Sequence, residues 1–522
     1  MNTATYNIAG GDYEQGGSAS KELKALLKKI GADPTAVRRT MVAAYEAEMN
    51  VVIHAGEGTM KVAVAPEQVE VSIVDQGPGI PDIERALTEG FSTAPAAARE
   101  MGFGAGMGLP NIKRSSDRFS IHSKPNEGTR VRFTVLLQPH AIAGPAANSV
   151  QVDAGHCIQC LRCLDACPAQ AIRLHHGTPQ ILEHACVDCT ACAAACPKGV
   201  YGMAGTLEVP PPVEGAVLVL PTAALFQFAP RSGAQDVLDL LHNWGFEDVR
   251  LSGAWERALR MAVLAEAGEG LAPPVLSPVC PAVLNLIQAR FPSLLDHVAP
   301  FLSPIEAARE ELAVPHAVFV PACPAQHTVL GARSMLTRIE VAHPAAFCNA
   351  VLAHPPGRSP AHTHAVQAGQ DDVLEIGGMA RVIEFLDRME NGLMQDLPVV
   401  ELYACEHGCF GAPVWAESPA VARRRADALD PPEAAAAIRR TRPLQARAGV
   451  RLDADMGHAI RMLSEINTLA KRLPGRDCGA CGAPTCAALA EDTVMGRAEL
   501  RACPYRSGED LDGTVLQKEK DT

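Results

Sequence analysis

Residues Cys157–Pro168 read CIQCLRCLDACP, and residues Cys186–Pro197 repeat the same spacing as CVDCTACAAACP. Each copy places four thiols at C-x2-C-x2-C-x3-C and closes on proline. Zinc sites usually draw four ligands from two well-separated pairs, so two compact four-cysteine runs fit them poorly. Disulfide frameworks belong to small secreted domains. This chain has 522 residues, and no N-terminal segment joins a basic start to an apolar run, so a secretory signal is not expected.

The paired runs resemble those of bacterial ferredoxins, in which three thiolates hold one [4Fe–4S] cluster and the fourth crosses to its neighbour. The resemblance implies one cubane on Cys157, Cys160, Cys163 and Cys196. It implies a second on Cys186, Cys189, Cys192 and Cys167.

A chain of this length exceeds one core, and about 150 residues per domain suggests three or four domains. At 48% hydrophobic and 20% charged the composition is that of an ordinary globular protein. The longest apolar run, Ala216 to Ala229, is broken by Pro221 and falls short of the roughly 20 residues of a membrane span. It reads as a buried strand entering a helix, and a cytoplasmic protein is expected. The net charge of −13 argues against a nucleic-acid footprint. Arg423, Arg424 and Arg425, with Arg439, Arg440 and Arg442 beyond the Pro431-Pro432 break, read as solvated helix faces. Seventeen cysteines in such a chain suggest metal, and sixteen of them fall into groups. Cys348 is left as a small buried hydrophobe.

Before the clusters, residues 20–54 read as two helices. The second opens at Asp33-Pro34, an N-cap with proline at the first helical position. It sets Glu46, Asn50 and His54 on one side at i, i+4, i+8. Alternating runs at 60–64 and 69–74 read as a hairpin turning at Pro66, and a second hairpin follows at 119–123 and 129–136. Between the hairpins lie Asp75-Gln76-Gly77-Pro78-Gly79 and the glycines Gly102, Gly104, Gly106 and Gly108. In that order, ending at Gly128-Thr129, the motifs resemble the GHKL ATPase domain of histidine kinases and anti-sigma-factor serine kinases, over about residues 20–138. The resemblance implies that Asn50 holds Mg²⁺ on the ATP phosphates, that Asp75 takes the adenine amino group, and that Gly77 and Gly79 let the backbone approach the base. It also implies that Gly104, Gly106 and Gly108 cover the phosphates, that Thr129 belongs to the site, and that Glu46 is the general base. The Glu-x3-Asn-x3-His form is closer to the serine kinases, and autophosphorylation on histidine is not expected.

An Ala/Gly/Pro-rich linker, 139–149, leads to the clusters. From Glu214 to about Val450, apolar runs at 216–220, 314–320 and 399–402 alternate with helical stretches such as 236–244, which suggests α/β packing. Its cysteines follow apolar runs, in SPVCP (277–281), VPACP (320–324) and YACEHGC (403–409). The order of these loops resembles the large catalytic domain of [FeFe]-hydrogenases. That resemblance implies a cubane on Cys280, Cys323, Cys405 and Cys409, with Cys409 at the bridge to a di-iron unit. The sequence departs from it where the chemistry would be. Val279 stands where active members carry a proton-relaying cysteine, Gln326 where they carry lysine, and Glu406-His407 where they carry Pro-Gly. No H₂ turnover is expected. His407 reads equally as a tuning hydrogen-bond donor or as a surface residue. His354, His362 and His364 read as part of a flexible insertion.

Met456, Ile460, Leu463, Ile466 and Leu469 form one helical stripe that stops near Pro474. Cys478, Cys481, Cys486 and Cys503, with glycines between the first of them, resemble the small [4Fe–4S] domain of electron-transport subunits and corrinoid proteins. The expected architecture is multidomain α+β and α/β. It comprises a GHKL-type α/β sandwich at 1–140, a ferredoxin-like cluster domain at 149–205 and a two-lobed hydrogenase-like domain at 214–450. A helix with a small cluster domain follows at 451–510, and a polar tail at 511–522. The expected function is an ATP-binding protein with up to four [4Fe–4S] clusters that acts as a redox-responsive regulator of a protein partner. The alternative is a nucleotide-gated subunit passing electrons to a redox partner.

Overall fold

An antiparallel sheet begins the chain. In the computed structural model, which describes residues 2–13, 16–95, 98, 104–137, 148–175, 177–203, 212–228, 233–267, 271, 273–312, 316–331, 340–341, 343–353, 373–394, 397–429, 435–447 and 451–505, strand β1 (Asn2–Ala9) pairs with β2 (Glu57–Ala65). Strands β3 (Gln68–Asp75), β4 (Arg118–Lys124) and β5 (Gly128–Leu136) complete the order β1-β2-β3-β5-β4. Both expected hairpins are present, and β1 was not anticipated. Gly102, most of the 139–149 linker, Pro431-Pro432, His354, His362, His364 and the tail from Gly508 lie outside the described residues.

Helices α1 (Ser18–Lys29) and α2 (Pro34–His54) pack in one core with the sheet, on the face of Met60, Val62, Val64, Val69, Val71 and Ile73. Asp33 caps α2 by accepting from Ala36 N at 2.8 Å. The start of α1 is capped from a distance. The buried carboxylate of Glu48 on α2 accepts from the amides of Gly17, Ala19 and Ser20 at 2.9–3.1 Å and from Ser20 Oγ at 2.8 Å. An anion at a helix N-terminus meets unpaired amides and the positive end of the dipole. A short α3 (Ile83–Ala86) and α4 (Gly108–Ser115) lie between β3 and β4.

The ferredoxin-like unit shows its internal repeat in the backbone. Gln159 and Asp188, Leu161 and Thr190, Gln170 and Gly199 are equivalent pairs, and all six have positive φ between 50° and 64°. Left-handed backbone at five non-glycine positions is costly. Here it turns amides towards sulfur. Gln159 N and Asp188 N donate to Cys157 and Cys186 at 3.4 and 3.5 Å, and Ala171 N and Val200 N donate to Cys167 and Cys196 at 3.2 and 3.4 Å. Strands β6 (Val150–Val152) and β7 (Ile172–His175), paired with β9 (Tyr201–Met203) and β8 (Thr178–Ile181), frame helices α5 (Arg162–Ala166) and α6 (Ala191–Ala195).

Two small parallel sheets make the middle region. One has β10 (Val217–Leu220) between β11 (Asp248–Leu251) and β13 (Ala317–Phe319), with β14 (Glu340–Val341) outside. The other places β16 (Val399–Tyr403) between β12 (Val275–Ser277) and β15 (Val373–Gly377). Strand β12 ends three residues before Cys280, and β16 ends two residues before Cys405, so the sheet aims both thiols off one edge. The expected run into a helix after Leu220 is a single 3₁₀ turn, Thr222–Phe226. Cys348 is half-buried and packs against the core around Val237 and Phe347.

The C-terminal segment does not stand apart. Its long helix (Met456–Ala470) buries Met456, Ala459, Ile460, Leu463 and Ile466 in the same core as β1, β2 and α2. The helix after Cys486 (Cys486–Val494) adds Ala488 and Leu489 to that core. Among the described residues no helix is long and apolar enough to cross a membrane.

Candidate functional site

The nucleotide motifs converge. Glu46 and Asn50 face one another along α2, and a Cβ at Gly108 would lie 3.3 Å from Asn50 Oδ1 and 3.4 Å from Glu46 Oε2, so the glycine loop closes directly over both. Asp75 Oδ1 accepts from Gly77 N at 2.8 Å and Thr129 N at 3.2 Å, which brings the ends of β3 and β5 together. Gly79 has φ 70°, and a Cβ there would sit 1.9 Å from Lys124 O, so only glycine fits. Gly104 and Gly106 are also left-handed, and Gly106 O accepts from Gly90 N at 3.0 Å. The donor set suits a nucleotide: a carboxylate braced by two amides for the base, and an amide oxygen and a carboxylate under a glycine loop for the phosphates and Mg²⁺.

One residue here was not read from the sequence. Asn111 Nδ2 on α4 donates to Glu46 Oε1 at 2.6 Å, and Arg114 donates to Asn111 Oδ1 at 2.6 Å. Burial raises the Glu46 carboxyl above its ordinary range, and the Asn111 hydrogen bond opposes that rise. The signal available was its place, three residues after Gly108 at the helix start that follows the glycines. Burial pushes His54 down, against the pull of Asp75.

The thiols of the two runs interleave. Cys157, Cys160, Cys163 and Cys196 line one cavity, with the fourth thiol supplied by the second run. Tyr201 lines the same cavity, and its buried hydroxyl is set against the Cys163 thiol. Burial pushes Cys186 and Cys192 up to about 12, with the charges of Asp188 and Cys167 adding to the rise at Cys186 and those of Cys167 and Cys186 to the rise at Cys192. Thiols so crowded ionise only when a cation compensates them, as cluster iron does. Among the described residues no group of three or more His, Cys, Asp or Glu stands close enough for a single metal ion. The sulfurs instead ring cavities, as a bulkier cluster requires.

Cys280, Cys323, Cys405 and Cys409 line a second cavity, which also touches Asp188, Cys189 and Thr190 of the ferredoxin-like unit. The two cluster environments therefore adjoin. Asp188 fastens them: its carboxylate accepts from Ser149 N at 3.3 Å and from Thr328 Oγ1 at 2.7 Å, on the helix that starts at Pro324 just after Cys323. Gln326 accepts from Ala322 N at 2.7 Å and donates to Cys409 Sγ at 3.7 Å. Val279 is buried among Leu259, Val263 and Val399, and His407 is exposed. In the C-terminal unit Cys478 and Cys503 lie close enough to raise the Cys481 thiol, after burial as the first cause.

Comparisons with known proteins follow these sites. Residues 36–139 match the histidine kinase-, DNA gyrase B- and HSP90-like ATPase family, residues 149–197 a 4Fe-4S dicluster domain, and residues 473–505 an Fe-S cluster family. The serine/threonine-protein kinase RsbT of Bacillus subtilis is 32% identical over 125 residues, 23% of this chain and 88% of RsbT. The chain belongs to this ATPase family through its N-terminal domain. An anti-sigma F factor of a Thermoanaerobacter species is 32% identical over 112 residues, 20% of this chain and 75% of that factor. An apo [FeFe]-hydrogenase structure from Chlamydomonas reinhardtii overlaps 48% of this chain and 89% of its own, at 12% identity and a TM-score of 0.33. What brings Cys280, Cys323, Cys405 and Cys409 together in this chain is the cavity they share.

Proposed function

We propose that this protein is an ATP-binding iron–sulfur regulator, in which the state of the cluster domains biases the ATPase-family domain and the latter binds or phosphorylates a partner protein. One contact supports this most. Helix α1 is held at its N-terminus by Glu48, two residues from Glu46 on α2, and its Lys24 and Lys28 enter a buried ion cluster with Glu390 and Asp387 of the hydrogenase-like region. Lys29 pairs with Glu491 of the C-terminal cluster unit at 2.7 Å. One short helix thus joins the nucleotide site to two cluster-bearing units. Glu46 would accept a proton from a serine hydroxyl or a water, and Asn50 would hold Mg²⁺, which neutralises phosphate charge when bound.

We infer that hydrogen turnover is absent. Val279 offers no titratable group, and Gln326 engages the sulfur of Cys409. A second reading, a nucleotide-gated electron-transfer subunit, is favoured by the shared wall between the second ferredoxin run and the Cys280 cavity. The discriminating experiment measures ATP turnover and partner binding in anaerobic protein, oxidised and dithionite-reduced. The regulator predicts a change on reduction. Identical values in both states, with an ATP-dependent rate of electron delivery, would favour the second.

A further inference from the structure

The C-terminal unit is too small to hold itself together. Residues 473–505 contain one helix, Cys486–Val494, and one 3₁₀ turn, Leu500–Ala502, while residues 471–485 form neither helix nor strand. The backbone of that loop is left-handed at Gly475, Asp477, Gly479 and Gly482, with φ between 47° and 84°. Below about 40 residues a unit usually needs a disulfide, a metal or a partner surface to fold. All four cysteines of this unit are free thiols. They stand at its joints. Cys486 opens the helix, Cys503 follows the turn, and Cys486 N donates to Asp477 Oδ1 at 2.6 Å, which draws the neighbouring Cys478 back to the helix start.

The second support is a core held in common with the nucleotide domain. Ala488, Leu489, Ala490 and Cys503 belong to the same core as Ile8 and Met60 of the N-terminal sheet. The helix Met456–Ala470 packs against both the helix Cys486–Val494 and strands β1 and β2. Lys29 of α1 pairs with Glu491 at 2.7 Å, and Leu452 N donates to Lys29 O at 2.9 Å. The seam with the first ferredoxin run, where Leu174 N donates to Gly482 O at 2.8 Å and Arg173 pairs with buried Asp492, holds the unit from elsewhere. The four thiols thus reach from solvent, at exposed Cys478, to buried Cys503 in the core that also packs α2, the helix of Glu46 and Asn50.

We infer that the iron–sulfur site on Cys478, Cys481, Cys486 and Cys503 is a structural fastener of the ATPase-family domain, so that its occupancy, independent of its redox state, sets how tightly that domain binds nucleotide. Where ligands organise a site that the bare chain does not hold, the free energy of binding is free energy of folding. Here the folding of the unit is shared, through one core, with α2 and the sheet. Loss of the iron releases the loop and the helix after Cys486, thins the cover over β1 and β2, and loosens α2 without touching the nucleotide site itself. This rests on the iron–sulfur reading of the C-terminal unit and adds to the regulatory reading a control that needs no electron.

The test uses the full, iron-loaded chain, kept anaerobic and oxidised throughout, as wild type and as Cys478→Ala. Cys478 is exposed, so this substitution removes a ligand and no core packing. The variant should hold about four fewer irons. Hydrogen-exchange protection of residues 34–54 and 57–65 should fall at least about tenfold. Its affinity for β,γ-imido-ATP should fall about threefold or more, as the binding-competent fraction drops. Residues 217–220 and 317–319, whose side chains pack in other cores, should exchange as in wild type. Loss of the iron with exchange or affinity unchanged would overturn the inference. So would an equal loss of protection at 217–220 and 317–319, which marks general unfolding, and so would a variant that keeps all its iron. The regulatory reading is tested separately, on wild type with every cluster present, oxidised against reduced, so the two can fail independently.

Discussion

Replacing Glu390 with glutamine tests the contact on which the regulatory reading depends. Glu390 is fully buried, Lys24 is 4% exposed, and Lys28 lies 4.7 Å over the Phe291 ring. The Glu390 carboxylate accepts from Lys28 at 2.9 Å and from Lys24 and Ser293, and Lys24 also reaches Asp387 at 3.1 Å. Removing one partner of a buried ion pair costs about 3–5 kcal/mol, because the other charge stays desolvated. Asp387 still serves Lys24, which places the loss near the lower end, about 3 kcal/mol or two orders of magnitude in an opening equilibrium. Burial already lowers Lys28 to about 8 against the opposing pull of Glu390. Without that carboxylate it falls further. The Lys28 part of the loss is therefore full at low pH and shrinks as pH rises through about 8, where the wild-type ammonium also deprotonates. Hydrogen exchange of residues 18–29 reads the effect directly, as a drop in protection of about a hundredfold. The triple variant Lys24→Met, Lys28→Met, Glu390→Leu should recover most of it, since apolar replacement of a buried ion cluster is often neutral or stabilising. Exchange of α1 unchanged in Glu390→Gln, or a triple variant as unprotected as the single one, would refute this account of the interface.

Three further outcomes are expected. Asn111→Ala removes a hydrogen bond to the Glu46 carboxylate, so ATP turnover near neutral pH should drop about tenfold. The acid limb of its pH profile should move up, and a fixed acid limb would show that Asn111 does not position Glu46. Cys405→Ser should remove about four of about sixteen irons on anaerobic iron analysis, leaving the ferredoxin-type signals in place. Gly482→Ala meets both a φ of 84° and a Cβ 1.8 Å from Leu174 O. It should loosen the seam by at least about 1–2 kcal/mol, seen as faster exchange at residues 172–175.

Much of this was legible in the chain because the information was local. The C-x2-C-x2-C-x3-C-P runs, the Asp33-Pro34 start of α2 and the two hairpins each lie within a few tens of residues, where spacing alone fixes which groups meet. The ATP motifs were legible for the same reason, with Glu46 and Asn50 on one helix face. What escaped was contact between distant segments. Strand β1 is an edge whose partner, β2, lies about fifty residues on, and its alternation of Thr3, Thr5 and Asn7 with Ala4, Tyr6 and Ile8 is mild. Lys24 and Lys28 look like solvent-facing lysines until Glu390 arrives from far along the sequence. The apolar stripe from Met456 to Ile466 was visible, but nothing in it named the sheet it covers. Asn111 is informative only once the glycine loop is folded over α2.

The shared core of the two chain ends bears on how the molecule is made. The sheet of the N-terminal domain is synthesised by residue 137, yet Met456, Ile460, Leu463 and Ile466, which cover part of it, leave the ribosome more than three hundred residues later. At about 5–20 residues per second that gap lasts tens of seconds. Through it the ATPase sheet carries an uncovered apolar strip, so a nascent chain interrupted after the ferredoxin-like unit should be a chaperone client, and ATP binding should mature only after translation ends.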